Sequence, residues 1–470
     1  MYGDVNVTVQ DGILGRSNST GTGVQVKIGV SNAESDAASD VPIIITSKMR
    51  VENIKTLLGY SPLADACMDS IENGAGTIYC IPVAGATAGT VGEIAHNGDG
   101  TGTVAISGKP CNAYAVLIQI MESGALNAAS MKYSIDGGLT YSEETTIPAD
   151  GRVNLTDTGL QLTFSGESFT EGDIYSVRTT APVMNNEEVI TAVESLKNFN
   201  KVFELVHVVG PSTKSLWASL SALADKFQAI YKKPLMFVCE SRYINGDETV
   251  EGYAQALISD RKGINSIYVQ VVAAHGQYVK LDGREETVNL AGVITGLYGA
   301  SRESQSVGEV GEFPISSSKL LLLRPKGIEE HIKELDEAGY CTIRQYHGLE
   351  DYFVTSANMF SPENSYFRYA EETRVLNRIV RDVRIAALEV LQREVDTENP
   401  EVSLAKIQEE LNVPMDKAVQ DGIISSGTVT IDSSADILKD EELNLEVVYV
   451  PKGHIRIINA TVAVSNPYTA

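Results

Sequence analysis

Basic residues are scarce in this sequence. Its 470 residues include 37 Lys and Arg against 62 Asp and Glu, which gives a formal net charge of −25. Such a surface repels nucleic acid and anionic lipid, because both carry dense negative charge. The composition therefore argues against either of them as the main partner, and we expect no nucleic-acid partner.

Long apolar runs and a targeting segment are also missing. A membrane-spanning helix needs about 18 consecutive apolar residues, whereas the densest apolar run here, Leu320–Leu323, is short. The first residues, MYGDVNVTVQDG, contain neither the basic segment nor the apolar stretch of a signal peptide. We therefore expect no membrane insertion, and a protein kept in the cytosol of the cell that makes it.

Cysteine is rare. The five cysteines are scattered, and none forms a CxxC pair with metal-binding spacing. Cys67, Cys80 and Cys239 lie inside apolar helix or strand patterns, where cysteine behaves as a small buried hydrophobic residue. We expect these three thiols to be structural.

Motifs of the common active sites are absent as well. The sequence has no GxGxxG or GxxxxGK[ST] phosphate loop, no GxSxG serine elbow and no HExxH zinc motif. His207 lies in an apolar strand pattern, where a hydrogen-bonded core histidine is expected. We therefore assign no catalytic, cofactor-binding or metal-binding residue and expect no enzyme. An α/β hydrolase-like enzyme whose site is assembled from distant loops remains an alternative.

Alternating strand and helix patterns are abundant. The strand patterns GVQVKIGV and TIYCIPV flank a helix over Pro62–Ile71, and strand and helix alternate again after residue 184. Asn186 is predicted to cap one of these helices, and another is predicted over Val288–Ala300. The pattern predicts an α/β fold, α+β overall, with a largely parallel mixed sheet and crossover helices. This central domain is predicted over residues 21–92 and 184–355.

Residues 93–183 contain almost no helical pattern. Short alternations such as Tyr114–Ile120 and Leu160–Phe164 are separated by turn signals, among them Asp136-Gly137-Gly138. Short strands at this spacing are typical of a small β-sandwich. We predict a surface-exposed, all-β domain inserted into the central domain.

Residues 356–470 are predicted to form a C-terminal α+β domain. Two long helices are expected, over about Tyr369–Glu394 and Ser403–Ala418. Three strand patterns follow: GTVTID, NLEVVYV and HIRIINATVAV. The last of them is expected to form a C-terminal strand arm.

One basic stripe stands out against the acidic background. Its members follow a 4-3-3 spacing in the first long helix and share one face: Arg374, Arg378, Arg381 and Arg384. One interpretation is a solvated face with local ion pairs. The other is a docking stripe for an acidic partner surface.

Both chain ends resemble amphipathic strands that could leave their own domain. The candidate strand residues are Val5, Val7 and Val9 in an N-terminal arm (residues 1–20), with Leu445, Val447, Ile458, Val462 and Val464 near the C-terminus. Such strands can add to the sheet edge of a neighbouring molecule. Pairing within their own subunit is the alternative.

The segment ITSKMRVENIKTLLGYSPLADACMDSIENGAGTIYCIPV resembles the contractile tail sheath proteins of bacteriophages and related injection systems. The matching features are Leu58-Gly59, the helix Pro62–Ile71, Asn73–Gly76 and Tyr79–Ile81. Ala75 and Pro82 depart from the family pattern. The long arginine-bearing helix and the C-terminal strand patterns resemble the family's C-terminal domain.

The resemblance implies a non-enzymatic structural protein without cofactors. Copies of the chain would stack as hexameric rings around an inner tail tube, with baseplate and tail terminator proteins at the ends. Terminal arms would link adjacent subunits, and contraction would drive the tube through a target envelope. Such a protein would be assembled in the host bacterial cytoplasm and reside in the tail of a virion or contractile particle. Another oligomeric tail component is a further alternative.

Overall fold

The structure, a computed structural model, describes residues 23–31, 42–432 and 437–464. The N-terminal candidates Val5, Val7 and Val9 lie outside the described residues. In the part of the chain that is described, no helix is both long and apolar enough to cross a membrane.

The first described elements build one side of the central sheet. They are β1 (Gln25–Val30), β2 (Ile43–Thr46), α1 (Val51–Leu58), α2 (Pro62–Glu72) and β3 (Thr77–Val83). Ser61 caps α2 by accepting a hydrogen bond from the backbone N–H of Ala64, at 3.3 Å, and Pro62 occupies the first turn. This helix is therefore fixed by signals that are visible in the sequence.

Eight strands follow between the two parts of the central sheet. They are β4 (Ala95–Asn97), β5 (Thr103–Gly108), β6 (Ala115–Glu122), β7 (Ser130–Ser134), β8 (Thr145–Thr146), β9 (Arg152–Leu155), β10 (Leu160–Ser165) and β11 (Ile174–Arg178). They form a three-stranded sheet, β5-β10-β9, and a five-stranded sheet, β4-β11-β6-β7-β8. Side chains from both sheets, including Ile118, Leu162 and Phe164, share one hydrophobic core.

The chain then returns to the central domain. Its elements are α3 (Asn186–Ser195), β12 (Leu205–Pro211), α4 (Lys214–Ala229), β13 (Met236–Glu240), α5 (Val250–Arg261), β14 (Val269–Val272), β15 (His275–Val279), β16 (Glu285–Asn289), α6 (Ala291–Ala300), β17 (Leu320–Arg324), α7 (Ile332–Glu337), β18 (Ile343–Gln345) and β19 (Tyr352–Val354). Short 3₁₀ turns cover Leu196–Asn198 and Ile328–Glu330.

The central sheet has the order β14-β13-β12-β1-β3-β2. Neighbouring strands are parallel except for the antiparallel edge pair β2–β3. The central strands β1, β12 and β13 are buried along most of their length, as expected for a parallel sheet covered on both faces. The predicted fold class is confirmed: a mixed sheet with crossover helices, an inserted all-β sandwich and a C-terminal α+β region.

The C-terminal region consists of α8 (Ala370–Val390), α9 (Pro400–Gln420), β20 (Ile424–Ile431), α10 (Ile437–Asp440) and β21 (Leu445–Pro451). Strands β20 and β21 form an antiparallel two-stranded sheet. Apolar residues of α8, α9 and β20, such as Ile379, Leu411 and Val429, form a separate core beneath it.

Two local predictions are wrong. The helix predicted from Val288 begins at Ala291, because Glu285–Asn289 pairs with β15 as a strand. The cap of α3 is Asn185, which forms a reciprocal capping box with Glu188, so Asn186 is the first helical residue. Residues 454–464, predicted as a strand arm, pair with no described strand of this subunit, and their pairing with a neighbouring molecule stays a prediction.

Candidate assembly interface

Helix α8 connects the C-terminal region to the central domain. Val375, Ile379 and Val383 on one face pack into the C-terminal core. The opposite face of its first half contacts the central domain through arginine side chains. The first half of α8 is therefore enclosed on two sides.

Arg374 is the centre of this contact and has no exposed surface. Its guanidinium forms an ion pair with Glu204, which precedes β12, and donates to the Ser301 hydroxyl at 2.8 Å and the Tyr298 carbonyl at 2.9 Å. Burial alone would lower the Arg374 pKa, but the Glu204 carboxylate raises it above its usual range. The buried charge is therefore well compensated.

Arg378 is also buried and bridges the two regions. It donates to Glu303 of the central domain at 2.9 Å, to Asp382 one turn further along α8 at 2.6 Å, and to Asp421 after α9 at 3.2 Å. A guanidinium has five donors in a fixed fork, which allows one side chain to hold three acceptors.

The predicted docking stripe is therefore wrong. Arg374, Arg378 and Arg381 are buried, and among the four predicted members Arg384 alone is exposed. The solvated-face interpretation fails for the same reason. A helical-wheel pattern identifies a polar face, but it cannot distinguish water from a buried carboxylate as the partner of that face.

One face of the β20–β21 sheet covers the C-terminal core. Most residues of β21 are exposed to solvent. Leu445 and Val447 are 36% and 37% exposed, and Val448 and Val450 on the other face are each 52% exposed. No described strand pairs with the outer edge of β21. An open strand edge beside exposed valines is a template for strand addition.

After β21 the chain is first anchored to the central domain. His454 donates from Nε2 to the Ser304 carbonyl at 2.9 Å. Arg456 pairs with Glu371 of α8, and its guanidinium lies 4.0 Å from the centre of the Tyr369 ring. These contacts direct the chain along the junction between α8 and the central domain.

Beyond Arg456 the segment is apolar and exposed. Ile458, Val462 and Val464 are 83%, 91% and 97% exposed. Burying one such side chain is worth about 1.5–3 kcal/mol. Residues 457–464 thus form an apolar segment that pairs with no described strand and would gain free energy on burial. Exposed apolar surface of this kind is typical of protein interaction sites.

A cavity of about 390 Å³ lies at the carboxyl ends of β1, β12 and β13, between the central sheet and the insertion. Lys280 pairs with Asp69 at 2.6 Å, and Arg284 pairs with Asp65 at 2.5 Å. Asn112 of the insertion donates to Asp65 at 2.6 Å. The ion pairs neutralise these charges within the central domain, and the Asn112–Asp65 hydrogen bond joins the insertion to α2.

Next to this cavity, a buried chain of hydrogen bonds crosses the sheet. Lys27 Nζ lies 2.7 Å from His207 Nδ1, and His207 Nε2 lies 3.0 Å from Glu240 Oε1. Burial lowers the pKa of Lys27 to about 8 and raises the pKa of Glu240 to about 7. His207 is thus the hydrogen-bonded core histidine that its apolar strand predicts.

Two further results concern possible reactive sites. Cys67, Cys80 and Cys239 are fully buried, as predicted, and burial raises the pKa of Cys80 and Cys239. Among the described residues, no three His, Cys, Asp or Glu side chains gather in a way that could hold a metal ion.

Comparison with solved structures finds chains of similar fold. The sheath of an extracellular contractile injection system, the PVC sheath complex in its contracted state, is 12% identical, with a TM-score of 0.55 over 98% of this chain and 97% of that one. The contracted helical sheath of the anti-feeding prophage is 11% identical, with a TM-score of 0.55 over 97% and 99% of the two chains. A sheath tail protein from Desulfitobacterium hafniense is 14% identical, with a TM-score of 0.49 over 96% and 100%.

At these identities the likeness concerns the fold, and at that level the two structures with TM-scores of 0.55 confirm the resemblance to contractile sheath proteins. No curated protein matches the chain. A family model described as the DUF2586 N-terminal domain matches residues 2–358, and one described as the DUF2586 C-terminal domain matches residues 367–469. The chain therefore belongs to the DUF2586 family.

Proposed function

We propose that this chain is the structural subunit of a contractile tail sheath. Copies polymerise as stacked rings around an inner tail tube, and their contraction drives the tube through a target envelope. The observation that carries the proposal is the exposed apolar segment 457–464, which lies on a chain with the fold of contractile sheath proteins.

Strand exchange supplies the link between subunits. A strand added to an open sheet edge gains backbone hydrogen bonds of about 0.5–1.5 kcal/mol each, together with contacts between cross-strand side chains. When every subunit both gives and receives strands, these modest links form a cooperative mesh. Contraction then moves whole subunits as rigid bodies while the arms remain paired.

The proposed partners are further copies of this chain, the inner tube, and the baseplate and terminator proteins at the two ends of the tail. The tail of a virion or of a related contractile particle is the proposed location, after assembly in the cytoplasm of the bacterial host. The subunit needs no enzymatic activity, because energy stored at assembly drives the contraction.

Truncation tests the C-terminal arm. Removing residues 457–470 leaves the anchors His454 and Arg456 in place, so we expect a folded protein that no longer forms ordered tubes or ring stacks. Removing residues 465–470 alone is the matched control, because it retains the apolar segment. Negative-stain electron microscopy and light scattering measure assembly, and circular dichroism measures folding. Regular tubes from the longer truncation would contradict a linking role for this arm.

The same assay applied to a protein lacking residues 1–11, which contain Val5, Val7 and Val9, tests the N-terminal arm. We expect a folded monomer without tubes. An unfolded product would assign this strand to the core of its own subunit. A full-length protein that stays a compact monomer under all assembly conditions would contradict the sheath function itself.

A further inference from the structure

The two edges of the β20–β21 sheet differ. On the β20 side, the Val429 N–H donates to Asn412 Oδ1 at 2.7 Å, and Asn412 Nδ2 donates to the Val429 carbonyl at 2.8 Å. Ile431 N–H donates to Gln408 Oε1 at 3.2 Å. The Asn412 carboxamide thus binds one residue of β20 in the way that a peptide group of a neighbouring strand would.

These backbone groups belong to the outer edge of β20. In an antiparallel pair, the N–H and C=O of one residue point to the same side, and successive residues alternate between the partner strand and the outside. Val429 lies opposite Val447 in the register, and Ile431 lies opposite Leu445. The backbone groups of Val429 and Ile431 point away from β21, towards α9. The backbone groups of the residues paired with them, Val447 and Leu445, therefore point away from β20, to the outer edge of β21.

The spacing of α9 matches the spacing of the strand. Four helical residues rise about 6 Å, and two strand residues advance about 6.8 Å. Gln408 and Asn412, four apart, therefore reach Ile431 and Val429, two apart. One helical turn further, Met415 packs against Gly427 so closely that a Cβ at Gly427 would overlap its methyl group. Helix α9 thus covers the edge of β20 at Val429 and Ile431 and packs beneath the face of the sheet at Gly427.

The outer edge of β21 has no such cover among the described residues, since no described strand pairs with it and its residues are largely exposed. A strand that adds to β20 would have to displace the Asn412 and Gln408 carboxamides from the backbone groups of Val429 and Ile431. A strand arriving at β21 displaces water. The two edges therefore differ in the cost of strand addition.

We propose that α9 closes one edge of the sheet, so that a strand from a second copy of this chain adds beside β21 only, and that Asn412 sets this selectivity. The occupant is residues 457–464 of the second copy. This segment is exposed and apolar, carries no charged residue, and leaves its own subunit beyond the Arg456 anchor. The inference rests on the proposed strand exchange and adds its direction: each sheet accepts strands from one side.

The test uses the full chain lacking residues 457–470 as the acceptor and a synthetic peptide of residues 453–470 as the probe. Hydrogen exchange measured by mass spectrometry reports on the two strands separately, and titration calorimetry gives the stoichiometry. With the unmodified acceptor we expect one bound peptide and slowed exchange in β21. With Asn412→Ala we expect a second bound peptide and newly slowed exchange in β20.

Lys417→Ala is the matched control, because this exposed residue lies five positions after Asn412 and therefore on the side of α9 that faces away from the strand. It should bind one peptide, as the unmodified acceptor does. If Asn412→Ala fails to fold, Gln408→Ala opens the same edge at Ile431 and should admit the second peptide more weakly. Protection of β20 in the unmodified acceptor would overturn the edge selectivity. A folded edge variant that binds one peptide would also overturn it. Absence of binding to every acceptor would instead contradict strand exchange.

Discussion

The insertion and the C-terminal region are attached to the central domain in different ways. The insertion has its own apolar core, and its contacts with the central domain include the hydrogen bonds Asn112–Asp65 and Tyr114–Tyr60. The C-terminal region is joined through the buried ion pairs of Arg374 and Arg378. We therefore expect the inserted unit, with its own core, to be modular, and the region attached through buried charges to depend on its contact with the central domain.

The largest expected effect follows from breaking the C-terminal attachment. Arg374→Met leaves Glu204 buried without its cation, and breaking a buried pair in this way costs about 3–5 kcal/mol. We expect the free energy of unfolding, measured by urea denaturation, to fall by this amount. Arg384→Met, at the exposed end of the same stripe, is the control and should change the value by less than about 0.5 kcal/mol. Equal stability of the two variants would contradict the anchoring role of Arg374.

Replacing the insertion should have a smaller effect on the rest of the chain. Its two connecting segments run side by side, with bridges between Thr87 and Val183 and between Val91 and Thr179. Because the Gly92 N–H donates to the Arg178 carbonyl at 2.9 Å, a Gly/Ser linker in place of residues 93–177 closes a short gap and keeps both bridges. The two lost hydrogen bonds should reduce the stability of the remainder by about 1–3 kcal/mol.

We expect this shortened protein to be soluble and folded by circular dichroism, and to form tubes in the electron microscope. Insoluble or unfolded product would show that the insertion belongs to the main core. A folded product that forms no tubes would show instead that the insertion takes part in assembly.

The smallest expected effect is a pH dependence at the cavity between the insertion and the sheet. Because burial raises the Glu240 pKa from 4.5 to about 7, the folded state binds more protons than the unfolded state between these values. The Glu240 contribution to stability is therefore present at low pH and is lost as pH rises through this range. Glu240→Gln should remove this loss, so its Tm relative to wild type should be higher at pH 8 than at pH 5. The control Glu251→Gln, on the exposed face of α5, should give the same difference at both pH values.

The sequence predicts the central sheet and the insertion because both depend on local patterns. The apolar runs of β1 and β12 and the Ser61-Pro62 start of α2 are visible in the chain itself. The role of Arg374 could not be predicted, since its partners Glu204 and Ser301 are distant in sequence and no local pattern pairs them. Asn412 was missed for the same reason, although the Gln408–Asn412–Met415 spacing beside a predicted strand is a signal that could have been followed. The strand predicted at residues 454–464 pairs with no described strand, and its pairing with a neighbouring molecule stays a prediction.

The Glu204 carboxylate also determines how tension would pass through the molecule. Its Oε2 atom accepts a hydrogen bond from the Gly23 N–H at 2.7 Å, while the carboxylate also pairs with Arg374 of α8. Two points far apart along the chain, the entry to β1 and the helix that carries the β20–β21 sheet, thus meet at one side chain. A force applied at Gly23 would be transmitted to α8 through the Gly23–Glu204 hydrogen bond and the Glu204–Arg374 ion pair, without passing along the intervening chain. The Arg374→Met variant would break this direct link, so that tension entering at Gly23 would reach α8 through other contacts, such as the Glu303–Arg378 ion pair.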